Sequence, residues 1–161
     1  MNKKTFVIIS SWLLVFVVML MIFNFSSENA EQSTETSKDV VVQVLDVVMD
    51  KEEITPPVVQ KYQVPIRKLA HFGIYMLLGF CMYNAFDKSF KLKFWLNMLL
   101  ATVACIIYAI SDEFHQNFSA NRGPAITDVL IDSSGAVLGI ILFFLFNLIY
   151  FKIFLVKFKK K

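Results

Sequence analysis

Between Tyr108 and Gly139 the chain reads YAISDEFHQNFSANRGPAITDVLIDSSGAVLG, which sets Asp112, Glu113, His115, Gln116, Arg122, Asp128 and Asp132 among apolar residues. Upstream lie Arg67, Lys68, His71 and Tyr75, with Arg67, His71 and Tyr75 four apart and so on one helical face. Charge beside hydrocarbon is costly, so such groups are functional or internally paired. Three chemistries fit the residue types. The donors of Arg67, Lys68, His71 and Arg122 suit the phosphate or carboxylate of an anionic headgroup. His115 or His71 beside Glu113 or Asp112 would form an acid–base pair. His71, His115, Asp112, Glu113, Asp128 and Asp132 are metal-ligand types. No HExxH occurs, however, and Glu113-Phe114-His115 is too closely spaced for chelation from one helix, so neither a metal nor a cofactor is expected. The plain alternative is ion pairing, Arg67 or Arg122 with Asp128 or Asp132, that locks helix ends together. Pairs of this kind contribute specificity more than net stability. There is no nucleophile elbow, phosphate-binding Gly loop or redox CxxC.

The elements that must position these residues are apolar blocks. The 161 residues are 57% hydrophobic and 18% charged. The hydrophobic ones fall in continuous runs near the roughly 20 residues needed to cross a bilayer. Inside lipid, only helices and closed barrels satisfy the backbone, and continuous rather than alternating runs point to helices. The expected spans are 5–25, 67–86, 94–111 and 126–151. The first is longer than a signal-peptide core and is followed by no clear cleavage site, so it is read as a retained transmembrane helix. Pro65 is placed in the first turn of the second span. Cys81 and Cys105 sit inside apolar runs and are read as small hydrophobes.

Residues 28–64 form a loop rich in carboxylates. Within it Asp39, Gln43, Asp46 and Asp50 recur at helical intervals, and Val40, Val41, Val44, Leu45 and Val48 fill the opposite face. An amphipathic helix is expected there, with an N-cap in the region Ser33–Thr36 and its end at Thr55-Pro56-Pro57. The fold class is therefore all-α membrane: four transmembrane helices in a single domain over 1–161, with an extracellular amphipathic helical segment between the first two.

Lysine placement sets the orientation. Lys3 and Lys4, then Lys88, Lys91 and Lys93, then Lys152, Lys157, Lys159, Lys160 and Lys161 share one side, so both termini are expected in the cytoplasm. Every polar group named above then falls at the outer end of its helix. On the fourth span Asp128, Asp132, Gly135 and Gly139 share a face, and Gly135-Ala-Val-Leu-Gly139 is a small-xxx-small seam for close helix contact. With no ionisable residue at mid-membrane, a proton or ion pathway is not expected.

The joint pattern Arg67-Lys68-x-x-His71-Phe72-x-x-Tyr75, Tyr108-Ala-Ile-x-Asp112-Glu113-x-His115-Gln116, Arg122, Asp128 and Gly135-Ala-x-x-Gly139 closely resembles the VanZ-like family of bacterial membrane proteins. Ser26-Ser27 after the first span fits the same pattern, and the likeness runs from about Phe25 to Ile140. It implies a multi-pass protein of the bacterial cytoplasmic membrane. The family's namesake is associated with low-level resistance to teicoplanin, a lipoglycopeptide acting outside the membrane, without remodelling of the peptidoglycan precursor terminus. The family's polar positions correspond here to Arg67, Lys68, His71, Tyr75, Asp112, Glu113, His115, Gln116, Arg122 and Asp128, to which the helical register adds Asp132. Together these imply an outer-face pocket for a membrane lipid, a lipid-linked cell-wall precursor or a lipoglycopeptide, with a role in resistance or envelope homeostasis and no nucleic-acid partner. The alternative is an interfacial enzyme acting on an envelope lipid through His115 or His71 with Glu113 or Asp112.

Overall fold

The structure, a computed structural model, describes the backbone of residues 1–26, 30–119 and 125–159 and the side chains of residues 1–26, 38–116 and 125–150. Ser27, Glu28, Arg122 and most of the 119–124 connector lie outside the described residues, as do the side chains of the Ser33–Thr36 region and of the C-terminal lysines. Among the described residues five α-helices follow one another: α1 (Lys3–Ser26), α2 (Ala30–Val48), α3 (Pro56–Ser89), α4 (Phe94–Ser119) and α5 (Ile126–Lys159). A single 3-10 turn, Lys51–Glu53, joins α2 to α3, and no strand occurs among the described residues. Helices α1, α3, α4 and α5 are each long and apolar enough to cross a bilayer. Their outward surfaces carry large apolar side chains such as Phe16, Ile107 and Phe146, each more than half exposed. A bilayer would cover that surface.

Each spanning helix buries one stripe. On α1 it is Ser11, Val15, Val18, Ile22 and Ser26. On α4 it is Asn97, Ala101, Cys105, Ala109, Asp112 and Gln116, a run at intervals of four and three. The small side chains in the middle of this stripe let α4 pack closely, and the same register carries Asp112 and Gln116 inward at its end. Cys81 and Cys105 are free, buried thiols.

The most extensive contact in the bundle is between α3 and α5. Glycines make it possible. A Cβ at Gly79 would collide with the backbone carbonyl of Ala136, one at Gly135 with that of Phe72, and one at Gly139 with that of Met76. The seam read from the α5 sequence is thus an α3–α5 seam, and α3 contributes Gly79 to it. Phe80 and Tyr83 flank it, both packed on Phe143.

Two boundaries differ from the sequence reading. Thr55-Pro56-Pro57 opens α3 instead of closing the amphipathic segment: Thr55 is extended at φ −93° and ψ 157°, and its carbonyl accepts the Val59 amide. A Thr cap followed by Pro, whose amide would be unsatisfied in the first turn anyway, is a helix start. Pro65 consequently sits inside a 34-residue helix rather than in its first turn. Helix α2 begins at Ala30, ahead of the Ser33–Thr36 region, and buries a narrower stripe than its pattern suggests. Val41 and Leu45 are covered, whereas Val40, Val44 and Val48 are exposed.

Candidate functional site

At one end of the bundle the stripes of α1, α3, α4 and α5 turn polar together. Ser26, Tyr75, Asp112, Gln116 and Asp132 are all buried there. Asp112 is their centre. Its Oδ2 accepts a hydrogen bond from the Tyr75 hydroxyl of α3 at 3.1 Å and another from Gln116 Nε2 at 3.3 Å. Gln116 also donates to Ser26 Oγ at the end of α1, at 3.0 Å. Tyr108, one turn below Asp112, donates to the Met19 carbonyl of α1 at 2.6 Å. These bonds fix α4 against α1 and α3 at this level.

At this polar end, two pairs of basic and acidic side chains face each other between α3 and α5. Lys68 Nζ stands 3.2 Å from Asp128 Oδ1, with both side chains 42% exposed. A pair so open to solvent contributes little stability. One helical turn deeper, His71 Nδ1 stands 3.8 Å from Asp132 Oδ1, too far for a hydrogen bond. One ligand-capable atom from each of His71, Asp112 and Asp132 lies within 4.8 Å of the others. Asp112 Oδ1 and Asp132 Oδ1 are buried and accept no hydrogen bond.

Above this trio opens a cavity of about 160 Å³. Arg67, Lys68 and His71 line it from α3, Gln116 from α4, and Asp128 and Asp132 from α5, with Val64 and Ile131 supplying apolar wall. It therefore offers cationic, anionic and apolar surface side by side. The two apolar wall residues are new. Their signal was register, since Val64 precedes Lys68 by one turn and Ile131 follows Asp128 at i+3.

Not every polar residue of the sequence pattern joins this group. Glu113 points to the start of α5, where its Oε1 accepts the Ala125 amide at 2.7 Å. His115 stacks on Phe23 of α1, with ring centroids 4.6 Å apart, and its Nε2 is buried without a hydrogen-bond partner. The structure thus sets His71 beside Asp112 and Asp132, and gives Glu113 and His115 other neighbours. Arg122 lies outside the described residues.

Comparison with known proteins agrees with the pattern from which the site was read. A family model described as VanZ/LLP1 matches residues 11–147. No curated protein matches, and no solved structure does.

Proposed function

The chain belongs to the VanZ/LLP1 family, and from that premise we propose that its cavity binds the headgroup of an envelope lipid, a lipid-linked cell-wall precursor or a lipid-tailed glycopeptide at the outer leaflet, acting in teicoplanin-type resistance or envelope homeostasis. The observation that carries this reading is the cavity lined by Arg67, Lys68, His71 and Gln116 at the end of a membrane-length bundle. Its donors suit phosphate or carboxylate oxygens, and the guanidinium can take two at once. Val64 and Ile131 give the lip an apolar surface on which the first carbons of an acyl chain would rest. A headgroup held this way keeps its tail in the bilayer, so little of the ligand need leave its own environment.

A second reading is favoured by the His71–Asp132 contact at 3.8 Å, an imidazole and a carboxylate facing the same cavity. It makes the protein an interfacial enzyme that moves a proton on the bound headgroup. Turnover of a lipid by the purified protein in nanodiscs would support it, and strictly stoichiometric binding would exclude it.

Teicoplanin susceptibility tests the main reading. Cells expressing the wild type should tolerate more drug than cells without it, and Arg67→Ala and Asp112→Asn should lose that protection at unchanged membrane abundance. Full protection by both variants would refute a working pocket. Protection and abundance falling together would make the cluster a lock for the helix ends.

A further inference from the structure

The hydrogen bonding of Asp112 and Asp132 is lopsided. Asp112 Oδ2 takes donors from both Tyr75 and Gln116, while Asp112 Oδ1 is buried with none. Asp132 Oδ1 is likewise buried without a hydrogen-bond partner and faces His71 Nδ1 across 3.8 Å. Each residue is only 4% exposed. A bare carboxylate oxygen inside a packed bundle is expensive, and two such oxygens in one cluster repel each other. What relieves both is a positive charge between them. The Lys68 ammonium is drawn to Asp128 on the exposed rim.

We propose that His71, Asp112 and Asp132 bind one divalent transition ion, of the zinc or manganese type, through one ring nitrogen and two carboxylate oxygens. The donor set is a borderline imidazole with two hard oxygens, which suits such ions and gives three protein ligands with positions left open. Atoms bound to one ion at about 2.1 Å lie roughly 3 to 3.5 Å from each other. The three donors, within 4.8 Å of one another, need only a small inward movement to reach that spacing. The supporting bonds are also those of a metal site. An oriented ligand carboxylate has its second oxygen held by neighbouring donors, which is what Tyr75 and Gln116 do for Asp112. Because the three ligands come from α3, α4 and α5, no helical spacing motif announces them.

The open positions of the ion face the cavity, since His71 and Asp132 also line it. That changes what the cavity can hold. Asp128 and Asp132 would repel a phosphate, and a divalent ion on Asp132 reverses the sign of the field at the cavity floor. A phosphate oxygen would then complete the coordination, a detail that rests on the headgroup reading. The ion site itself does not.

The test uses the full chain, purified, stripped with a chelator and titrated with zinc alone. The expected result is one ion per chain, with affinity lowered about tenfold or more in each of His71→Ala, Asp112→Asn and Asp132→Asn. His115→Ala should bind as the wild type does. In case the carboxylate variants misfold, zinc X-ray absorption on the wild type gives an independent readout. It should show a histidine among nitrogen and oxygen neighbours, and the signal should persist in His115→Ala. A sulfur neighbour at about 2.3 Å would place the ion on a cysteine and overturn the proposal. So would no binding by the wild type, or wild-type binding by folded Asp112→Asn and Asp132→Asn proteins. Zinc binding is measured without lipid, so it fails or succeeds separately from the headgroup reading, whose own test is drug protection.

Discussion

Asp112 and Glu113 are neighbours in the chain with opposite assignments. Asp112 points inward, where Tyr75 and Gln116 hold one of its oxygens, and Glu113 reaches sideways to the Ala125 amide ahead of α5. A helix separates successive side chains by roughly 100°, so adjacent carboxylates cannot share one interior site. The sequence supplies both as candidates, and only the position of α5 decides between them. The same holds for His71 and His115: one faces Asp132, and the other stacks on Phe23. Glu113 should therefore matter to folding more than to the pocket. Glu113→Ala leaves the Ala125 amide without its acceptor, at a cost of about 1.5–3 kcal/mol for a charge-assisted bond. Glu113→Gln keeps an oxygen there and should lose less. Thermal unfolding in detergent, with drug protection measured beside it, checks both: the melting midpoint should fall in the order wild type, Gln, Ala while protection per folded molecule is kept.

At the scale of elements, the α5 stripe was legible because polar and packing residues share one register. Asp128, Asp132, Gly135 and Gly139 lie on one face, and the structure sets the last two against the α3 backbone at Phe72 and Met76. The partner helix was not legible, since small-xxx-small spacing says how closely a helix can approach but not which helix arrives. Boundaries were harder where one signal has two meanings: Thr55-Pro56-Pro57 can be read as a stop or as a start, and in the structure α2 has already ended at Val48 and the triplet opens α3. The seam yields a sharp contrast. Gly139→Val drives a branched side chain into the Met76 carbonyl, which the α3 backbone can relieve only by moving away. Overpacking of this kind costs about 1–3 kcal/mol or more, and here it would also pull His71 away from Asp132. Gly73→Ala meets nothing within 4 Å and should be neutral or slightly stabilising. Melting midpoints of the two variants should separate clearly; equal values would mean that α3 and α5 do not meet along these glycines.

For the whole molecule, the distribution of charge between the two ends decides what the cavity can meet. Lys3 and Lys4 open α1, while Lys88, Lys91 and Lys93 surround the α3–α4 turn, so they gather at the end opposite Asp112 and Asp132. Short lysine-rich flanks tend to stay in the cytoplasm during insertion, so the expectation to be tested is that the cavity end faces outward. Cysteine labelling tests this directly, because native Cys81 and Cys105 are buried and should give little background. Thr55→Cys, at the exposed start of α3, should react with a membrane-impermeant maleimide on intact cells. Lys91→Cys, exposed in the α3–α4 turn, should react only after the membrane is opened. The reverse pattern would turn the cavity toward the cytoplasm. A glycopeptide acting outside the cell could not then reach Arg67 or Lys68, and the headgroup held there would have to belong to the inner leaflet. The His71, Asp112 and Asp132 trio would keep its geometry in either orientation, but in the second it would draw its ion from the cytoplasmic pool.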